Sequence, residues 1–266
     1  MYDKEHEILL QLLKDAKKIL NKNDIIYWLD CGTLLGAIRN NGFIPWDNDV
    51  DIGCWKSKDD FCVKQKLRLE FQRLNYGVYT TDHWMHVYLK GLPGVGLDIN
   101  FYTIENGMAV TAGSPIYKTM DNNIAKLANH LIISLYNKRI YAKRYQTIFK
   151  LCYCFTNAFF TLASSNLKER FLNFLIHIRK VTSGHKAEVV QKCYFENLIQ
   201  ISVFDGCYNV PKDSEDYLEI RYGSDWKVPK KQWDTFTQDG TVMILSGLKN
   251  KKSKNKGKFL ARFYIE

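Results

Sequence analysis

Two aspartates separated by a single residue, Asp49 and Asp51, are the side chains of this sequence best suited to chemistry. They lie in the run Asp49-Val50-Asp51-Ile52, where β-branched residues alternate with the acids as they do in a strand. Residues i and i+2 of a strand point to the same face, so both carboxylates face the same way. Such a pair repels unless a cation or a proton lies between its members, and hard oxygen ligands suit Mg²⁺ or Mn²⁺. The pair therefore predicts a divalent-metal site.

Two further acids are candidates for the same site. Asp98 is the lone acid of the apolar, strand-like run Leu97 to Phe101, and an antiparallel pairing of this run with the Asp49 strand would bring it beside the pair as a third ligand. Asp47 continues the alternation backwards, but Pro45 and Trp46 place it where a loop enters the strand, which makes it a weaker candidate.

A glycine-containing turn supplies the complementary half of a phosphoryl-transfer site. The sequence predicts a strand at residues 27–31, a turn at Gly32-Thr33 and a short helix at residues 34–40. A helix that begins after such a turn presents unpaired N–H groups to a phosphate. Arg39 lies in that helix, where it would either bind a phosphate or form a structural salt bridge to Asp47 or Asp30.

The elements that position these residues can be predicted from periodicity. Apolar residues three and four apart predict an amphipathic helix over residues 5–21, and a second is expected over residues 59–75. A hairpin is expected over residues 77–89, where either His83 or His86 would come near the site. Residues 122–181 contain no glycine or proline and are predicted to be almost wholly helical. The apolar part, residues 151–164, is too short to span a bilayer easily, so a buried helix is favoured over one lying on a membrane surface.

Composition is that of a folded domain with a basic tail. The chain has 266 residues, of which 46% are hydrophobic and 14% aromatic, enough to bury a substantial core. The formal net charge is +10, and residues 249–266 carry seven basic residues against one acid. We expect this tail to be a flexible, solubilising end rather than a contact for anionic lipid or a polyanion.

Cysteine usage and the N-terminus indicate a reducing compartment. Seven cysteines, an odd number without paired spacing, do not predict a disulfide scaffold. They also lack the spacing of zinc ligands, so we expect buried apolar thiols. Acids near the N-terminus replace the basic and apolar run of a secretory signal, which predicts a cytoplasmic protein.

Taken together, these motifs resemble a known family. Gly32-Thr33, the run Asp49 to Ile52 and a separate strand with Asp98 resemble the signature of the nucleotidyltransferase fold. More narrowly, residues 32–39 followed by residues 43–52 resemble the LicD and fukutin family of phosphotransferases, and residues 204–229 are similar to its C-terminal block. The family often has an acid where this sequence has Asn48, so Asn48 is not expected to be a ligand.

The resemblance implies an α+β fold. Its core would be a nucleotidyltransferase-like mixed or antiparallel sheet with flanking helices and a mainly helical insertion or C-terminal subdomain. We therefore expect a catalytic core at residues 1–121, a helical region at 122–200, a C-terminal block at 201–248 that packs on the core, and the basic tail at 249–266.

The resemblance also implies a reaction. Such enzymes move a phosphorylated alcohol, such as phosphocholine or ribitol phosphate, from a CDP-linked donor to a hydroxyl of a glycan or glycolipid, as in the biosynthesis of lipopolysaccharide or teichoic acid. Mg²⁺ or Mn²⁺ would be held by Asp49, Asp51 and Asp98, and one of these acids or Asp47 would take the acceptor proton. Donor-binding residues would be Gly32, Thr33 and Arg39 for the phosphates, with Tyr222 and Trp226 as aromatic platforms.

Two other functions remain open. A nucleotidyltransferase that transfers the nucleotide itself to a small molecule would use the same acids. A non-catalytic protein would instead use its basic tail on nucleic acid or a membrane. We expect no nucleic-acid partner, and a location in the cytoplasm with peripheral contact at the inner face of the membrane.

Overall fold

The computed structural model describes residues 4–92, 94–115, 123–138, 146–183, 185–235 and 237–245. Over these ranges the chain has the predicted α+β fold, in which helices flank a mixed sheet. The basic tail at residues 249–266 lies outside the described residues.

The helices and strands are numbered in their order along the chain. The helices are α1 (Lys4–Lys22), α2 (Cys31–Asn40), α3 (Asp60–Arg73), α4 (Asn123–Asn137), α5 (Gln146–Leu162), α6 (Ser165–Thr182), α7 (Cys193–Glu196) and α8 (Ser214–Tyr222). The strands are β1 (Tyr27–Leu29), β2 (Asp49–Trp55), β3 (Tyr76–Thr80), β4 (Trp84–Leu89), β5 (Gly96–Glu105), β6 (Met108–Pro115), β7 (His185–Gln191), β8 (Leu198–Val203), β9 (Gly206–Pro211) and β10 (Val242–Leu245). The helices predicted over residues 5–21 and 59–75 and the hairpin predicted over 77–89 are thus confirmed as α1, α3 and the β3–β4 pair.

Strand β5 is the centre of the sheet. Its first half lies between β2 and β4, and its second half pairs with β6, which continues the sheet through β7 to β10. The expected antiparallel pairing of β2 and β5 is wrong, because the two strands run parallel. Helix α3 and the β3–β4 hairpin separate them in sequence, and a connection of that length lets the chain re-enter the sheet in the same direction. The parallel register sets Asp51 directly opposite Asp98.

The region predicted to be helical over residues 122–200 ends in a strand. Its described part contains helices α4, α5 and α6 up to Thr182, but β7 then pairs antiparallel with both β6 and β10. The reason is visible in the sequence: from residue 186 to residue 189 polar and apolar residues alternate, which is the pattern of a strand with one buried face.

Two groups of apolar side chains hold these layers. The larger one fills the space around the sheet and α1, and at its centre the Trp28 ring stacks on Phe195 with 4.3 Å between ring centroids. The smaller one lies within the helical layer and joins α3 to α4, α5 and α6 through residues such as Phe61, Tyr136 and Phe160. The sheet and the helical layer therefore each have their own buried apolar centre.

The prediction that the cysteines are buried is wrong for half of those described. Cys54 is buried, but Cys154, Cys193 and Cys207 are exposed. Cys193 begins the short α7, and Cys207 lies on the two-stranded β8–β9 pair, so both fall on peripheral elements with open surfaces. Within the described ranges, none of the helices is both long and apolar enough to traverse a lipid bilayer.

Candidate active site

Four carboxylates meet at one cavity. Asp49 and Asp51 project from β2 and Asp98 from the adjacent β5, while Asp47 precedes β2 in the loop. All four line a cavity of about 540 Å³. The alternation of β2 confirms that Asp49 and Asp51 share a face, because Val50 and Ile52 between and after them are fully buried on the other side.

The carboxylates raise one another's pKa. Burial and a side-chain hydrogen bond with Asp49 raise the pKa of Asp47 to about 8. Burial and the negative charges of Asp49 and Asp98 raise the pKa of Asp51 well above its usual range, and burial also raises the pKa of Asp49. A cation among these groups would reverse these shifts, because it favours the ionised form of each carboxyl.

The donor set fits a hard divalent cation, although the side chains are not arranged around one. Among the described residues, no three His, Cys, Asp or Glu side chains group as metal ligands. Instead Asp47 hydrogen-bonds Asp49, and the Asp98 Oδ1 lies 2.5 Å from the His86 Nδ1. Carboxylate oxygens that face one cavity are nevertheless the ligands that Mg²⁺ or Mn²⁺ prefers.

The residues predicted as a glycine turn form the first turn of α2. This helix begins at Cys31, and its capping residue Asp30 accepts a hydrogen bond from the Cys31 N–H at 2.9 Å. The turn prediction was wrong because the capping aspartate, rather than the glycine, marks the start of the helix. Thr33 is buried and its Oγ1 accepts a hydrogen bond from the Asp51 N–H at 2.7 Å. Thr33 therefore holds the backbone of an acidic residue in place.

Gly32 brings helix α2 close to the carboxylates. It lines the cavity, and a Cβ atom at this position would lie 2.6 Å from the Asp47 Oδ2 and 3.7 Å from the Asp51 Oδ2. Only a residue without a side chain lets the Asp47 carboxylate occupy its present position. The glycine thus acts through close approach rather than through a special backbone angle.

Basic side chains line another part of the cavity. The Arg39 guanidinium donates hydrogen bonds to the Asn40 Oδ1 at 2.8 Å and the Trp226 carbonyl at 3.3 Å, which does not match the salt bridge to Asp47 or Asp30 considered above. Lys230 and Lys231 also reach the cavity. Lysine and arginine opposite a carboxylate cluster are arranged as expected for a ligand that carries phosphates and a metal ion together.

Aromatic rings complete the cavity. Tyr222 and Trp226 line it as predicted, and the Tyr222 ring lies 5.0 Å from Trp233 at an interplanar angle of 55°. Flat rings in the wall of this cavity offer stacking surfaces for a nucleobase. Trp46, from the loop before β2, adds another ring to the wall.

A buried ion-pair cluster supports this wall. The Arg221 guanidinium donates to the Glu188 Oε2 at 2.7 Å, the Asp239 Oδ2 at 3.0 Å and the Cys31 Sγ at 3.0 Å. These contacts join α8 to β7, to the segment before β10 and to the start of α2. The residues that carry the basic and aromatic groups are thereby fixed relative to the carboxylates.

Sequence reasoning missed several lining residues. Among them are Asn100, Lys186, Lys230, Lys231 and Trp233, whereas His83 lines the cavity as one of the two histidines expected near the site. The segment from Pro229 to Trp233 gave a partial signal for a phosphate- and base-binding wall, because it contains two lysines and an aromatic residue. For Lys186 and Asn100 the sequence offered no signal, since only the strand register brings them to the cavity.

The part of the chain that carries the carboxylates is similar to a known family. Residues 24–131 match the family model described as LicD/FKTN/FKRP, nucleotidyltransferase domain. That range contains all four carboxylates: Asp49 and Asp51 on β2, Asp98 on β5, and Asp47 in the loop before β2.

Three curated relatives illustrate the match. An uncharacterized protein of Rickettsia prowazekii, RP689, is 46% identical over 70 residues, which are 26% of each chain. The human ribitol-5-phosphate transferase FKTN is 24% identical over 229 residues, covering 84% of this chain and 34% of the relative. The lipopolysaccharide cholinephosphotransferase LicD of Haemophilus influenzae is 44% identical over 45 residues, which are 17% of each chain. The matches to the first relatives thus span only about a quarter to a third of those proteins' length.

Proposed function

We propose that this chain is a metal-dependent phosphotransferase of the LicD type, because residues 24–131 match the LicD/FKTN/FKRP family model. It would move a phosphorylated alcohol of the phosphocholine or ribitol-phosphate type from a CDP-linked donor to a hydroxyl of a glycan or glycolipid. The relatives support the transferred group and the transfer, since FKTN is a ribitol-5-phosphate transferase and LicD a lipopolysaccharide cholinephosphotransferase. The acceptor would be a cell-surface polymer or its precursor, such as lipopolysaccharide or teichoic acid, met in the cytoplasm or at the inner face of the membrane.

The observation that carries the proposal is the presence of acidic and basic side chains in one cavity. Asp51 lies directly opposite Asp98 in the β2–β5 register, and both line the cavity with Asp49. Arg39 and Lys231 line the same cavity. A pyrophosphate with a bound cation matches both sets of charges at once.

The chain's own residues have distinct tasks in this reaction. Arg39 and the lysines bind the donor phosphates, and the Tyr222 and Trp233 rings receive the cytosine. The acceptor oxygen attacks the phosphorus that carries the alcohol, the bond from that phosphorus to the bridging oxygen breaks, and CMP leaves. The proton of the acceptor hydroxyl passes to a carboxylate of the cluster.

A bound metal ion would be held by Asp49, Asp51 and Asp98. When bound, the ion would neutralise negative charge on the pyrophosphate and on the leaving CMP. Thr33 contributes indirectly, because its hydroxyl fixes the backbone of Asp51.

Product analysis tests the reaction. A panel of CDP-linked alcohols is incubated with Mg²⁺ and an oligosaccharide acceptor, and CMP release is measured. We expect release with at least one donor and a loss of at least about a hundredfold in Asp51→Asn, since the variant removes a charge that the transition state requires. Asp205→Asn is the matched control, because this acid lies in the exposed β8–β9 turn with a side chain that is 71% exposed.

Other products would identify the other functions. Pyrophosphate release from a nucleoside triphosphate, with every CDP donor inert, would show a nucleotidyltransferase, an alternative that the name of the matched domain also supports. Turnover of neither class, with biological function intact in the Asp49→Asn plus Asp51→Asn variant, would show a non-catalytic protein.

Metal binding is tested separately from turnover. Titration calorimetry with Mn²⁺ should show binding to the wild type and at least tenfold weaker binding to Asp51→Asn and Asp98→Asn, because each loses a charged oxygen ligand. The Asp205→Asn variant should bind as the wild type does. Equal Mn²⁺ affinity in all four proteins would contradict the metal-site assignment.

A further inference from the structure

Helix α5 is apolar on two opposite faces. Tyr153 and Phe160 are buried against the other helices. On the opposite side Leu151, Phe155 and Leu162 recur at helical spacing, and Phe155 is 76% exposed and Leu162 88% exposed. A helix that is apolar all round is normally covered on every side, so the exposed side of α5 lacks a covering layer among the described residues.

A second exposed apolar stripe continues the first across α6. Leu167 and Phe174 are seven residues apart on this helix, and Phe174 is 57% exposed. Phe171 lies between them on the same side, and its ring centroid is 5.5 Å from that of Phe159 on α5. Phe159 in turn lies four residues after Phe155, so the two stripes meet at this ring contact. We call the exposed set of Leu151, Phe155, Leu162, Leu167 and Phe174 the α5–α6 face.

The exposed charged residues of the helical layer have one sign. Glu169 and Arg179 are buried. The charged side chains that are described and not buried are all basic: Lys126, Lys168, Arg170 and Lys180 on α4–α6, and Lys138 directly after α4. Arg170 lies three residues after Leu167 and four before Phe174, which places it on the side of the apolar stripe.

We propose that the α5–α6 face docks on an anionic lipid bilayer. Its apolar side chains would enter the boundary between headgroups and acyl chains, with the helices parallel to the membrane and the basic residues against the headgroups. A second copy of this chain is a poorer occupant, because a twofold interface would bring the two basic borders together. The proposal does not depend on the reaction proposed above, since none of its residues lines the cavity.

Vesicle co-sedimentation of the full-length protein tests the proposal. Vesicles of phosphatidylcholine with phosphatidylglycerol are compared with vesicles of phosphatidylcholine alone. We expect clear partitioning to the anionic vesicles only, and a loss of about tenfold or more for each apolar side chain removed in Phe155→Ser plus Leu162→Ser. Arg170→Gln plus Lys168→Gln should weaken binding severalfold for each charge and lessen its sensitivity to salt.

Matched controls separate this face from other causes. Leu69→Ser plus Ile104→Ser removes apolar side chains that are 51% and 55% exposed elsewhere, and should bind as the wild type does. Because all variants keep the basic tail, unchanged binding of Phe155→Ser plus Leu162→Ser would overturn the proposal. It would also be overturned by equal binding to neutral vesicles, or by a dimer in light scattering that the same variant abolishes without any lipid binding.

Discussion

At the scale of single residues, Gly32 couples the first turn of α2 to a carboxylate. An added Cβ would lie 2.6 Å from the terminal oxygen of Asp47, the end of a flexible side chain that can move away. We therefore expect Gly32→Ala to shift that carboxylate and lower kcat/KM about tenfold to a hundredfold. The free energy of unfolding should stay unchanged or rise by up to about 1 kcal/mol, because alanine favours the helix.

The matched substitution is Gly94→Ala, where an added Cβ meets nothing within 4 Å. It should leave kcat/KM and stability near the wild-type values. Steady-state kinetics and urea unfolding check both variants. Full activity in Gly32→Ala would show that the position of Asp47 does not matter for the reaction.

At the scale of elements, Arg221 fixes α8 to the rest of the site. It is 2% exposed and pairs with two acids on other segments, Glu188 and Asp239. Arg221→Met would leave Glu188 with only Lys186 as a cationic partner and the buried Asp239 with only the hydrogen bonds of Thr241, and we expect a loss of about 3–5 kcal/mol in the free energy of unfolding. Lys227→Met, which breaks an exposed 2.7 Å pair with Glu215, should cost less than about 1 kcal/mol. Similar urea midpoints for the two variants would show that α8 does not depend on the buried cluster.

Elements also explain which parts of the site were predictable. Local patterns sufficed for Asp49 and Asp51, because the side-chain alternation of a strand is fixed within a few residues. The parallel β2–β5 pairing was not predictable, because the order and direction of strands depend on contacts between distant segments. The same holds for Lys186, which reaches the cavity only through the pairing of β7 with β6.

Two residues near the carboxylates were misinterpreted from the sequence. Gly32 and Thr33 were predicted as a phosphate-binding turn, yet α2 already begins at Cys31 with Asp30 as its cap, and the buried Thr33 hydroxyl accepts a hydrogen bond from the Asp51 N–H. A glycine in the first turn of a helix gives no signal that separates it from a turn. The roles of Gly32, Thr33, Arg39 and the carboxylates in catalysis stay predictions.

At the scale of the whole molecule, one buried ion pair links the helical layer to the sheet. The Arg179 guanidinium on α6 donates two hydrogen bonds to Asp82, at 3.0 and 2.8 Å, in the segment between β3 and β4. Burial alone would raise the pKa of Asp82, but Arg179 and then His83 hold it well below its usual range. The nearby Lys64 donates to the Asp82 carbonyl.

Removal of Arg179 should therefore change how stability depends on pH. In Arg179→Met the buried Asp82 would bind a proton more readily in the folded than in the unfolded protein, so stability would fall as pH rises. Burial and the positive charge of Arg179 lower the pKa of His83, so loss of Arg179 would raise this pKa. The folded variant would then bind a proton at His83 more readily than the wild type, which also makes the cost of the substitution smaller at low pH. We expect a cost of about 3–5 kcal/mol near pH 8 that becomes smaller towards pH 5.

Urea unfolding at several pH values measures this effect. The double variant Arg179→Met plus Asp82→Asn is the control, and it should recover part of the stability and lose most of the pH dependence. A cost for Arg179→Met that is the same at pH 5 and pH 8 would contradict the role assigned to Asp82.

The site depends on the parallel register of β2 and β5. Backbone hydrogen bonds set the separation of Asp51 and Asp98, so their spacing is inherited from the sheet and not from the packing of neighbouring side chains. A slip of β5 by one residue would turn Asp98 into the apolar interior and present Leu97 or Ile99 to the cavity. If the proposed function is right, activity therefore depends on strand alignment: a folded, stable variant without activity would be one whose β5 strand has shifted by one residue.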